Sequence, residues 1–171
     1  MATQLRIGFL GFNIPGLPYP NSLFLDPGDY TLGGNGGSDV GALQASLTVP
    51  PNLTWTNRDQ SAAIDRTQGF TVNWTGAAPG QTVGVIGGNV DLPTNASALF
   101  LCMAAPGATS LTVPPAILAN VPATRTNVLQ SKSVVYVGTL PLGNSGVFSA
   151  SGLDIGLALS SYLTGRTVTF R

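Results

Sequence analysis

Histidine and glutamate are absent from the 171 residues, cysteine occurs once, and only 8% of the chain is charged, against about 25% in an average soluble protein. Without histidine the usual general base and the usual metal ligand are missing, and no Ser-His-Asp or Cys-His nucleophile system can be assembled. Seven basic residues balance seven aspartates, so the formal net charge is zero. The six arginines, Arg6, Arg58, Arg66, Arg125, Arg166 and Arg171, are dispersed. The electrostatic footprint of a partner for nucleic acid or an anionic membrane is therefore lacking. Cys102 has no intramolecular disulfide partner, and its setting in Leu99-Phe100-Leu101-Cys102-Met103 reads as that of a small buried hydrophobe. No run reaches the roughly 18 apolar residues of a membrane helix, and residues 6–15 are too broken by glycine for a signal-peptide core.

What is present is punctuation and apolar surface: 22 Gly, 13 Pro and 43% hydrophobic residues. Strong helix formers are scarce, while the apolar content separates the chain from disordered Gly/Pro-rich sequences. Short runs alternating with period two, separated by turn clusters, predict strands. These fall at residues 30–32, 42–49, 53–56, 70–74, 82–86, 98–103, 109–113, 134–140, 147–150, 153–159 and 167–170, with residues 162–166 as a final turn. Pro114-Pro115-Ala116-Ile117-Leu118-Ala119 places proline where a helix starts and predicts one helical turn. The expected fold is an all-β, mainly antiparallel, immunoglobulin-like β-sandwich with Gly/Pro-rich turns and at most one short helix. Pro50-Pro51 breaks any ladder and suggests a boundary. It divides the chain into an extended amino-terminal segment (1–24), a small β unit (25–50) and a main sandwich unit (51–171).

Asp26-x-Gly28-x-Tyr30 resembles the tyrosine-corner segment of immunoglobulin-like domains, where a Tyr caps the corner before the penultimate strand. Too few residues precede it for the strands such a domain needs. The first unit is then short of strands, and something must cover its apolar faces and unpaired backbone groups. The isolated alternation of Leu5, Ile7 and Phe9, with Gln4, Arg6 and Gly8 on the other face, is the candidate exchanged strand.

Other chemistries have weaker support. A Ser-Lys nucleophile would have to use Lys132, between Ser131 and Ser133, with no further motif. Carboxylate pairs such as Asp26 with Asp29 or Asp59 with Asp65 fall in turn-rich segments, where Asp caps backbone amides. Calcium is the one cofactor left open: Gly33-Gly34-Asn35-Gly36-Gly37-Ser38-Asp39-Val40 looks like a calcium-binding nonapeptide repeat displaced by one residue. Those repeats bind by stacking and this copy is single, which favours a hairpin loop and no cofactor. Trp55 and Trp74, with Tyr19, Tyr136 and Tyr162, are candidates for a sugar platform, yet both Trp are in phase with apolar neighbours and read as core.

Asp65-Arg66-Thr67-Gln68-Gly69-Phe70-Thr71-Val72-Asn73-Trp74-Thr75-Gly76, Leu111-Thr112-Val113-Pro114-Pro115 and Ser149-Ala150-Ser151-Gly152-Leu153-Asp154-Ile155-Gly156 carry a resemblance. Together with Gly33 to Gly41 and Leu53-Thr54-Trp55-Thr56-Asn57, they resemble carboxy-terminal β-rich regions of uncharacterised secreted proteins from acidobacteria, over most of residues 25–171. The resemblance implies an extracellular bacterial setting and transfers no catalytic residue. Fourteen charges on 171 residues cannot give the mixed-charge surface of a free monomer. The expectation is a non-enzymatic subunit whose partners are copies of itself, forming a filament or surface layer by strand addition. A carbohydrate-binding adhesion module and a virion or phage subunit are the alternatives.

Overall fold

The computed structural model of the protein describes residues 26–127, 131–142 and 145–171. The amino-terminal segment 1–24, with Leu5, Ile7 and Phe9, lies outside the described residues. Along the described chain run β1 (Gly28–Gly34), β2 (Leu43–Val49), β3 (Thr54–Trp55), β4 (Ala63–Ile64), β5 (Phe70–Thr75), β6 (Thr82–Asp91), β7 (Ala96–Met103), β8 (Ser110–Val113), α1 (Pro115–Leu118), β9 (Ser131–Leu140), β10 (Ser145–Phe148), β11 (Gly156–Leu159), β12 (Tyr162–Thr167) and β13 (Thr169–Phe170). The protein is all-β apart from the four-residue α1, which starts on Pro115 and buries Leu118. Every pairing is antiparallel except β13 with β4.

Period-two patterning sets which side of each strand is buried. In β5, Phe70, Val72 and Trp74 are buried while Thr71, Asn73 and Thr75 face solvent. The main body is a sandwich of a four-stranded sheet, ordered β12-β9-β6-β7, on a three-stranded sheet, ordered β3-β5-β8. Its core joins Val83, Val85, Phe100, Val135 and Val137 from the first to Trp55, Phe70, Val72, Trp74 and Val113 from the second. Leu118, Val121, Ile64, Val168 and Phe170 close it.

Two sequence expectations are corrected. Residues 162–166 are not a turn but most of β12, which pairs with β9 and sets Gly165 opposite Tyr136. The Tyr136 ring covers Gly165 so closely that an added Cβ would lie 2.4 Å from it, so this glycine serves packing rather than a turn. Strand β6 continues through Gly87-Gly88 to Asp91, beyond the expected end at residue 86. A Cβ on Gly87 would approach the Phe100 ring to 2.5 Å, so the glycine makes room for a core aromatic.

A polar network holds the 121–125 segment over one end of the sandwich. Buried Asn89 donates through Nδ2 to the carbonyls of Pro122 (3.0 Å) and Ala123 (3.2 Å) and accepts from Ser131 Oγ (2.8 Å). Buried Asp91 takes Arg125 Nε at 2.5 Å and Nη2 at 3.0 Å, and Thr94 Oγ1 as a further donor. Thr124 Oγ1 meets Ser133 Oγ and also accepts the Phe170 N–H.

A second, smaller cluster lies outside the sandwich. Ala45 and Leu47 of the β1–β2 hairpin pack on Ala158 and Phe148 of the β10–β11 hairpin. Gly41 N–H donates to the Ser151 carbonyl at 2.7 Å. Pro50-Pro51 follows the end of β2 as expected, but the cover for the β1–β2 hairpin comes from residues 145–159, inserted between β9 and β12. Two-stranded hairpins cannot bury a face alone, so these two, far apart in sequence, bury one against the other.

Candidate assembly surface

The four-stranded sheet has a second face, turned away from the core. The register places Leu101, Ile86, Tyr136 and Gly165 in one row across it. Met103, Gly84, Gly138 and Leu163 form the next, and Leu99, Gly88, Val134 and Thr167 another. Leu99 is 77% exposed, Leu101 53% and Met103 56%, and Leu163 and Val90 are exposed as well. Residues 98–103 of β7, 83–88 of β6 and 134–138 of β9 are thus apolar on both faces, while the far ends of β6 and β9 carry the Asn89–Asp91 network inward and Lys132 outward. A half-solvated antiparallel sheet instead alternates apolar and polar, and double-sided apolar strands belong to sheets covered twice. The β10–β11 hairpin repeats the theme, with Val147, Leu157 and Leu159 exposed on the side away from β2.

The edges of the sandwich differ in how they are guarded. The β12 edge is occupied: Arg58 donates to the Gly165 carbonyl from Nε (3.1 Å) and Nη2 (2.8 Å), and Arg166 Nη1 donates back to the Arg58 carbonyl. In the other sheet β3 has two residues, and β8 has four and runs into Pro114-Pro115. Short strands, proline and charge are the devices that blunt an edge. Strand β7 has none of them. It is eight residues long, Ala-Ser-Ala-Leu-Phe-Leu-Cys-Met, without a charge, and among the described residues it pairs only with β6. Its other row of backbone N–H and C=O groups is therefore available to a further strand.

The remaining residues singled out from sequence fall elsewhere. Tyr30 Oη donates to the Asp26 carbonyl at 2.9 Å, four residues back; this is the kind of contact a tyrosine corner makes, here at the start of a two-stranded hairpin that also contains Gly28. The Gly33 to Gly41 segment forms the hairpin tip, closed by Gly37 N–H to the Val40 carbonyl at 2.7 Å. Among the described residues no three Asp, Glu, His or Cys side chains group as metal ligands. Trp55 and Trp74 are buried in the core, and Trp55 Nε1 donates to Asn57 Oδ1 at 2.9 Å. Asp65 caps the Thr67 N–H and hydroxyl, which hold its carboxyl below the usual range. Cys102 is half-buried against the core, and burial raises its thiol pKa. A cleft of about 280 Å³ between the 75–81 and 104–109 loops is lined without a charged side chain.

Sequence reasoning missed the Asp91–Arg125 pair, whose members are 34 positions apart. Hydrogen bonds from Arg125, then Thr94, hold the Asp91 carboxyl below its ordinary value. The pair is bidentate and fully engaged in tying down the 121–125 segment. No family model, no curated protein and no solved structure matches this chain.

Proposed function

We propose that the chain is a non-enzymatic structural subunit that assembles with copies of itself into an extracellular filament or surface layer through β-strand addition. The outer face of the β12-β9-β6-β7 sheet carries this reading: residues 83–88, 98–103 and 134–138 of its strands are apolar on both sides, and the described residues cover one side. Contiguous exposed apolar surface of this kind marks an interaction site, and fourteen charges supply little repulsion against close packing. The alternation of Leu5, Ile7 and Phe9 is the strand proposed to be exchanged. A head-to-tail contact of this type generates a fibre when it does not close into a ring. The extracellular setting rests on the resemblance to secreted acidobacterial proteins. The burial of Trp55 and Trp74 takes the two largest aromatics away from a sugar platform.

Electron microscopy and sedimentation over a concentration series test the reading. The full chain is expected to form filaments or sheets, and residues 13–171 to remain folded and dispersed. Dispersed single particles from the full chain at high concentration overturn it.

A further inference from the structure

Resting on that assembly reading, we infer that the acceptor is the open edge of β7: residues 4–10 of a second copy add to it, with Leu5, Ile7 and Phe9 turned into the mouth between β7 and β8. The two long sides of the sandwich are unequal. On one, Arg58 closes β12 by occupying the Gly165 carbonyl. On the other, Ala98 and Cys102 of β7 and Leu111 of β8 are only half-buried although they pack against the core. An added strand satisfies the outward backbone groups of β7, and its inward side chains cover that half-open flank. The donor fits on length and chemistry. It supplies seven residues against the eight of β7, one wholly apolar face, and a single charge, Arg6, on the face directed outward.

The occupant is a second copy because the assembly reading joins one copy to the next, and the spacer is long enough to allow it. Phe9 precedes Asp26 by 17 positions that include Pro15, Pro18 and Pro20. An extended chain of that length spans at most about 55 Å, more than the roughly 40 Å width of a folded body this size, which is enough to reach a neighbouring copy.

Cys102, the chain's one cysteine, lies on the inward side of β7 and makes the test direct. Neighbouring strands hold Cα atoms within disulfide range, so Leu5→Cys, Ile7→Cys, Phe9→Cys, Arg6→Cys and Gly8→Cys are each assembled and oxidised with copper phenanthroline. Intermolecular ladders on non-reducing denaturing gels are expected from the inward position opposite Cys102, at least fivefold above Arg6→Cys, Gly8→Cys and the unaltered chain. An internally linked, fast-migrating monomer overturns the second copy as occupant. Assembly without cross-linking at any position overturns the β7 acceptor and leaves self-assembly standing, whereas absence of assembly in the unaltered chain sinks both. Maleimide labelling of Cys102 in the unaltered chain gives a second reading: the rate is expected to fall at least tenfold on assembly, and an unchanged rate refutes the acceptor.

Discussion

Leu101→Lys places one charge at the centre of the exposed stripe of β7. Burying a whole Leu or Met side chain contributes about 1.5–3 kcal/mol. Applied to exposed fractions of 77%, 53% and 56% for Leu99, Leu101 and Met103, covering the stripe contributes about 3–6 kcal/mol before the cost of association. The substitution forfeits about 1 kcal/mol of this and forces a neighbour to desolvate an ammonium, which costs at least about 2 kcal/mol. The critical concentration for assembly, read by sedimentation, should therefore rise about a hundredfold. The fold itself should survive, since Leu101 points to solvent and an exposed strand position spans only about 1 kcal/mol, a Tm shift of about 2–4 °C. Gln44→Lys, on the exposed side of β2, is the control and should leave the critical concentration unchanged. Assembly of Leu101→Lys at the concentration of the unaltered chain would refute the claim that this face is covered by a neighbour.

Three further outcomes are expected. Phe170 is fully buried, so Phe170→Ala should lower stability by about 3–5 kcal/mol in denaturant unfolding; a loss under 1 kcal/mol would mean that the carboxy-terminal strand is not part of the core. Hydrogen bonds from Arg125 and Thr94 hold the Asp91 carboxyl of the folded state below its ordinary value, so the stability from its pairing is present above about pH 4 and disappears as pH falls through the lower folded value. Asp91→Asn should accordingly be less stable than the unaltered chain at pH 7, the gap narrowing toward pH 2, and a gap constant with pH contradicts the assignment. Assembly should change little between 50 mM and 500 mM salt, because few charges are present to be screened; dissociation in that range would show that ion pairs hold the copies together.

How much was legible in advance depended on whether an element follows local alternation. Strands β2, β5 and β8 were readable because Leu47, Val72 and Leu111 recur with period two between turn residues. The helical turn at α1 followed from Pro114-Pro115 ahead of apolar residues. Strand β12 is not legible locally because Gly165 has the look of a turn residue, and only the Tyr136 ring lying over it explains the glycine. The full length of β6 is hidden for the same reason, since Gly87 signals a break unless Phe100 stands opposite it. In both cases the glycine answers to a partner on another strand, which no local window contains.

The chain's composition settled by itself that the protein is β-rich, nearly uncharged and without the histidine chemistry most enzymes use, because these depend on residue types and short-range periodicity alone. Which face the molecule covers was decided only by tertiary packing, when the β3-β5-β8 sheet closed over one side and the described residues left the other open. Packing likewise decided that Arg58 guards β12 while nothing described guards β7. An edge is a property of where a strand lies in its sheet, and that position is fixed by pairing between segments distant in sequence.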